Sequence, residues 1–324
     1  MAKAHNPQLN ALKPYSAIGD ADVFAGRPID EACIGPFIIA HDLPCNNTTA
    51  FLTPALRNIN VPLSSSIVYE GRPTQLYTTI MQALEAMQSG QVSAEDVLAE
   101  TIRALLVLKN EQQQRRTALL AGIKTAEGTL PLSSESIVNL VASHLSQKGA
   151  SRLPVLIVAA AYHAAEILIG EAVHPLESHN AADKQTRSLG DVEVVLANDN
   201  RIVTGYEMKL KRVTTNDIDL ALPKILDKGI DNYIFITTEV ISDEVKEYAA
   251  TFYEKTGGIE VVILDCIGFL RHFLHFFHRS RARYLQAYQD LVLAEPDSSV
   301  GASLKDVWLS LRANAEANSE SGAR

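Results

Sequence analysis

The sequence predicts an α/β fold, a mixed central sheet flanked by helices, preceded by a helical, loop-rich N-terminal region. After residue 150, short apolar runs alternate with helical patterns, the signature of strands layered against helices. The stretch GDVEVVLANDNRIVTGYEMK, residues 190 to 209, reads as two strands joined by a tight polar turn. The chain has 324 residues, 47% of them hydrophobic, which is enough to bury one large core or two smaller ones.

Residues 1 to 73 hold eight of the thirteen prolines, spaced from Pro7 to Pro73. Proline blocks helix interiors and central strands, so loops and short elements are expected there. Apolar segments such as CIGPFIIAHDLP still require burial. TQLYTTIMQALEAMQ repeats apolar residues at helical spacing. Ser93-Ala94-Glu95-Asp96 resembles a capping box that opens a long helix to about residue 115. SSESIVNLVASHLSQKG, residues 133 to 149, is a helix stopped by Gly149. LPVLIVAAAYHAAEILIG opens a buried helix running to about Val173, read as too short and too polar for a membrane span. The polar loop HPLESHNAADKQTRS leads into the strand pair. TNDIDLALPKILDKG is a helix with Pro223 in it or at a break. NYIFITTE and IEVVILDC are buried strands, separated by the helix SDEVKEYAATFYEKTGG. GFLRHFLHFFHRSRARYLQAYQDLVL reads as one long last helix, and SESGAR as a frayed tail.

The formal net charge is −9, which counts mildly against a nucleic-acid partner without excluding one, because binding needs only a local basic surface. Three cysteines, Cys33, Cys45 and Cys266, form no C-x-x-C pair, so neither a disulfide framework nor a zinc knuckle is encoded. MAKAHNPQLNALKPYS lacks the apolar stretch of a secretion signal, so a reducing cytoplasm is expected, without membrane association. No G-x-x-x-x-G-K-[ST] occurs, and no G-x-G-x-x-G follows a strand, which leaves ATP-driven and dinucleotide chemistry without support.

The strand pair carries the chemistry. Residues two apart on a strand share a face, so Glu207, Lys209 and Lys211 line one side of the second strand. On the first strand, Asp191, Glu193 and Val195 face away from Val192, Val194 and Leu196. Antiparallel pairing lets Asp191 and Glu207 meet. Two close carboxylates repel unless a cation or proton lies between them, and Mg2+ suits such an oxygen site. Lys209 adds an ammonium that can orient a water or stabilise growing charge on a phosphate. The same residues also fit a solvated strand face with cross-strand ion pairs. Glu193 is a possible extra ligand or an ordinary surface carboxylate. Glu166, on the apolar helix, either pairs with the site or occupies an exposed position. His272, His275 and His278 lie near one face of their helix, but the phenylalanines between them and the lack of a nearby carboxylate favour packing over metal binding. Arg271, Arg279, Arg281 and Arg283 form a basic end to that helix. Arg57, Asn58, Asn60, Arg72 and Gln75 are of types that can read base edges, and Arg187, Lys211 and Arg212 are candidate DNA contacts.

The ordered set G-Asp191-V … Y-Glu207-M-Lys209 resembles the PD-(D/E)xK nuclease motif. More narrowly, it resembles the catalytic segment of SacI-type type II restriction endonucleases, where GDV, an apolar strand and E-x-basic-x-Lys recur. The likeness covers roughly residues 150 to 265, with a weaker echo at NTTAFLTPALRN. Gly190 stands where the motif has proline. The resemblance implies a Mg2+-dependent endonuclease acting on double-stranded DNA, with Asp191 and Glu207 as metal ligands, Lys209 as the catalytic lysine and Lys211 at the second basic position. It further implies a homodimer on a short palindromic site and a companion DNA methyltransferase in a prokaryotic cytoplasm. The expected division is a recognition region at 1–150, the nuclease core at 151–295 and a C-terminal tail at 296–324. A repair or structure-specific nuclease of the same superfamily, or a non-catalytic DNA-binding protein on the same fold, are the alternatives.

Overall fold

The computed structural model describes residues 1–45, 59–67, 73–123, 131–176, 189–199 and 201–321. The chain divides into two compact units, Met1–Arg115 and Arg116–Arg324.

In the first unit, the proline-rich stretch forms one short turn, α1 (Ala2–His5), and a continuous helical run over 26–40, in which α2 (Gly26–Ile29) and α3 (Gly35–Ala40) are joined by a π-helical segment, Asp30–Ile34; contrary to the expectation of loops, Pro28 and Pro36 lie within this run. The helix α4 (Thr74–Gln88) buries Tyr77 and Met81 against Leu63. Its charged and polar residues tie down the loops: Glu85 accepts hydrogen bonds from the Ser65 backbone and hydroxyl, and Gln88 accepts one from the Ala11 N–H. The Ser93 hydroxyl oxygen accepts from the Asp96 N–H and caps α5 (Ala94–Gly122), which extends past the residue 115 expected for its end.

The second unit is built on a five-stranded sheet in the order β1-β2-β3-β4-β5, with β1 (Glu171–Val173), β2 (Val192–Leu196), β3 (Ile202–Lys209), β4 (Asn232–Thr237) and β5 (Glu260–Asp265). β1, β2 and β3 are antiparallel neighbours, whereas β3, β4 and β5 run parallel. The parallel half requires crossovers, supplied by α8 (Thr215–Lys228) and α9 (Asp243–Thr256). These pack Ile218, Ile225, Val245 and Phe252 onto Tyr233, Phe235 and Val261 of one sheet face. The opposite face, carrying Val192, Val194, Tyr206 and Ile236, packs into a larger core. That core is formed by α6 (Ser134–Leu145), α7 (Leu153–Ile169), α10 (Cys266–Phe276), α11 (Arg281–Ala294) and α12 (Ala302–Ser321). The mixed sheet between helices is the fold class expected.

Several elements differ from the sequence reading. The unit begins at Arg116, ahead of residue 151, because α6 buries Ile137, Val138 and Val141 in the same core. α7 does not reach Val173. It ends at Gly170, whose left-handed φ of 70° stops the helix, and Glu171–Val173 become a strand. By length and apolarity the 150–169 segment could cross a membrane, contrary to the reading above, but 67% of its most apolar 18 residues are buried in the fold and it serves as the central core helix. The long last helix is two: Phe277 leaves helical geometry, and the break lets α10 and α11 bury Phe273, Leu274, Tyr284 and Tyr288 together. Residues after 295 are not a tail, since α12 buries Trp308 and Leu309 completely. Of SESGAR, residues 322–324 lie outside the described residues. α8 continues through Pro223 without a break.

Candidate active site

Strand alternation places the site. On β3, Tyr206 and Met208 enter the larger core, and the Tyr206 hydroxyl meets that of Tyr162 on α7 at 2.8 Å. Glu207 and Lys209 therefore emerge on the other face, beneath α8. The parallel register sets Glu207 opposite Phe235 and Lys209 opposite Thr237. Val192 pairs with Tyr206, so Asp191 and Glu207 are the next residues outward on adjacent strands. As the chain leaves the ladder at Gly190, an Asp191 carboxylate oxygen takes the Met208 N–H at 2.7 Å, next to Glu207. Gly190 also explains the missing motif proline. A Cβ there would lie 2.3 Å from the Tyr206 carbonyl oxygen, so only glycine fits.

Glu207 is the centre of a charged cluster. One carboxylate oxygen, Oε1, is 2.8 Å from the Lys209 ammonium, and Oε2 accepts from the Tyr233 hydroxyl at 2.6 Å and lies 3.5 Å from the Lys224 ammonium. The Tyr233 hydroxyl is also 3.1 Å from the Leu189 carbonyl. It has one proton, and the shorter bond to a charged acceptor takes it. The Lys209 ammonium further reaches Asp217 at 3.1 Å and lies 5.9 Å from the centre of the Phe235 ring. Asp217 is held in turn by the N-terminus of α8: its carboxylate accepts from the Thr214 N–H and hydroxyl, while Thr214 caps the Asp217 N–H. The helix start thus carries the ammonium of a neighbouring strand.

Burial pushes the Glu207 carboxyl up, but the Lys209 and Tyr233 hydrogen bonds and the Lys224 charge outweigh it and hold the group below the usual carboxylate range. Burial pulls Lys209 down, and Glu207 and Asp217 outweigh that, holding it above the usual lysine range. At neutral pH Glu207 is a carboxylate and Lys209 a proton-bearing ammonium. Lys209 can donate hydrogen bonds and stabilise negative charge, and it is poorly suited to accept a proton.

Asp191, Glu207 and Lys209 are brought together as the sequence suggested. Lys211 is not placed on their face by alternation, because β3 ends at Lys209 and the chain bends; Lys211 and Arg212 are both exposed beyond the strand end. Glu193 is a mostly buried carboxylate that accepts the Leu189 N–H at 2.7 Å and lies 3.9 Å from His174, so it fastens the turn before Asp191. Alternation on β2 is itself interrupted by a bulge between Val194 and Val195, which buries both. Glu166 is half-buried, and among the described residues its carboxylate has no hydrogen-bond or ion-pair partner. Arg57, Asn58, Arg72 and Arg187 lie outside the described residues, whereas Asn60 and Gln75 are exposed in the first unit. The histidine helix corrects one expectation: a carboxylate does join it, Glu135 of α6, at 3.0 Å from His275 and 3.1 Å from Arg271.

Asp217, Lys224 and Tyr233 were missed. Thr214 and Asp217 are legible as a cap, and capping alone accounts for Asp217, so nothing in the spacing announces its second contact. Tyr233 reads as an ordinary buried strand residue.

Among the described residues, no three His, Cys, Asp or Glu side chains converge as a metal-holding group. The donor set nevertheless fits a hard divalent cation. Asp191 and Glu207 offer oxygen donors from adjacent strand positions, Glu207 is ionised, and all its present partners are hydrogen-bond donors or cations.

Residues 130–239 match the family model of the SacI restriction endonuclease C-terminal domain. This segment is similar to the C-terminal domain of SacI-type restriction endonucleases. It contains Asp191, Glu207, Lys209, Asp217, Lys224 and Tyr233, so the whole charged cluster lies within the match. A restriction endonuclease domain implies a nuclease, with DNA as the substrate of that domain. No curated protein matches the chain.

Proposed function

We propose that the protein is a type II, site-specific restriction endonuclease of the PD-(D/E)xK superfamily that cuts double-stranded DNA with Mg2+ at a short palindromic site, as a homodimer. The observation that carries this reading is the adjacency of Asp191 and Glu207 on paired strands, with the Lys209 ammonium 2.8 Å from Glu207, inside the SacI-type segment.

Asp191 and Glu207 are the residues that hold the cation. A bound magnesium ion lowers the pKa of its water and screens the phosphate. Lys209, fixed between Glu207 and Asp217, donates a hydrogen bond to the attacking water or to the phosphate oxygen that gains charge. Tyr233 and Asp217 keep the carboxylate and the ammonium in place. Lys211 and Arg212, exposed beyond the strand end, contact neighbouring phosphates. Glu193 supports the turn rather than the cation. The N-terminal unit supplies sequence recognition, and a methyltransferase of matching specificity protects the host DNA.

The test is incubation of the protein with a long plasmid and Mg2+. Discrete bands that vanish with EDTA are expected. A smear would replace restriction with non-specific cleavage, and no product would leave a binding protein.

A further inference from the structure

We propose that Lys224 is the resident counter-cation of Glu207, and that its ammonium is the group a divalent cation displaces on entering the site. The inference rests on the reading of Asp191 and Glu207 as the cation-binding pair.

Glu207 has two ammonium partners, and they are not equivalent. Lys209 is held by two carboxylates, at 2.8 and 3.1 Å, and packs over Phe235. Lys224 has the longer contact, 3.5 Å, and the greater exposure, 37% against 26%. Among the described residues its only ion pair is to Glu207. It reaches the site from the third turn of α8, seven residues after Asp217, so one helix face delivers both residues to the β3 charges.

The two contacts also differ in where they fall on the carboxylate. Lys209 lies at Oε1 and Lys224 at Oε2, the oxygen that also accepts from Tyr233. Oε2 already accepts from Tyr233 and faces the Lys224 ammonium, so a cation approaching that oxygen must compete with a group already there. One donor has to yield. Tyr233 is completely buried and Lys209 is doubly anchored, whereas the Lys224 side chain has solvent to move into. Without a divalent ion, Lys224 neutralises Glu207. With one, two positive charges compete for the same oxygen, and the flexible, strongly hydrated ammonium leaves.

The test is Mn2+ binding by DNA-free protein, read as free Mn2+ by electron paramagnetic resonance. Wild type is compared with Lys224→Met, Lys224→Gln, Lys224→Arg, Glu207→Gln and Asp191→Asn. Both neutral Lys224 variants should bind Mn2+ more tightly, by on the order of fivefold, the size of one partly exposed ion pair. Lys224→Arg should stay at the wild-type affinity, since charge and not packing sets the effect. Glu207→Gln and Asp191→Asn should weaken binding. If those two weaken binding while both neutral Lys224 variants match wild type or bind less tightly, the displacement idea is overturned and the cation-site reading stands. If Glu207→Gln and Asp191→Asn bind as wild type does, the cation-site reading falls, and the role of Lys224 with it.

Discussion

His144 and Glu207 belong to opposite sides of one sheet, each inside a cluster of hydrogen-bonding groups, and the clusters are closed differently. His144 is completely buried. One ring nitrogen, Nε2, lies 3.0 Å from the Leu304 carbonyl, which can only accept, so it donates there, and Nδ1 accepts from the Tyr288 hydroxyl at 2.9 Å. Every valence of a neutral imidazole is used, and burial holds its pKa at about 4. This is a structural polar group with nothing left to offer. Glu207, Lys209, Asp217 and Lys224 instead form a network of ion pairs, remain 20 to 37% exposed, and meet where the last residues of β3 lie beneath α8. Charge satisfied by charge can be exchanged for another ion; a neutral imidazole locked between a phenol and a carbonyl cannot. A third polar cluster, Glu135 with Arg271 and His275, lies about half in solvent on helix surfaces, where water screens it.

These differences predict how each cluster responds to substitution. Lys209→Ala should reduce single-turnover cleavage in Mg2+ by about 10²–10³-fold while leaving DNA affinity in Ca2+ near wild type, the pattern of a group that acts in the transition state. Lys211→Ala, on the exposed bend, should instead weaken binding and flatten its salt dependence; a dead Lys211→Ala beside an active Lys209→Ala would shift the catalytic lysine by two residues. Tyr233→Phe keeps the buried ring and removes the hydroxyl from Glu207. It should slow cleavage about tenfold, as loss of a supporting contact to a metal ligand does, and cost about 1 kcal/mol of stability in denaturant unfolding.

His144 should show itself only through pH. Its folded pKa is depressed, so the unfolded chain takes up the proton first as pH falls. The stability contributed by the neutral ring is complete above about pH 6.5 and is lost as pH falls towards about 4, amounting to about 2 kcal/mol by pH 5. Denaturant unfolding at pH 7 and pH 5 should give a smaller difference for His144→Gln than for wild type. An equal difference would mean that the ring is already protonated or exposed. Glu135→Gln should leave both melting temperature and cleavage unchanged, and a loss of cleavage would make that surface functional.

The sheet and the charged end of β3 were legible because β-strands alternate and helix caps have sequence signatures. Asp191, Glu207 and Lys209 follow from two short strands and one turn. What was not legible arises from contacts that cross the sequence. Tyr233 meets Glu207 only because β4 lies parallel to β3 in a particular register, and Lys224 meets it only because α8 lies over that face. β1 was hidden by the apolar run ahead of it, with Gly170 the sole sign of a boundary. Lys211 was misplaced by extending a strand two residues past its end. α12 was overlooked because its polar composition resembles a tail, although Trp308 is completely buried.

The central claim is that Asp191 and Glu207 act together on a cation during DNA cleavage. It is tested most directly by measuring, for Asp191→Asn and Glu207→Gln, single-turnover cleavage in Mg2+ and DNA affinity in Ca2+, with circular dichroism as the check on folding. The account predicts that both variants fold and bind DNA but do not cleave it, even when Mg2+ is raised. Cleavage at the wild-type rate by either folded variant would contradict it.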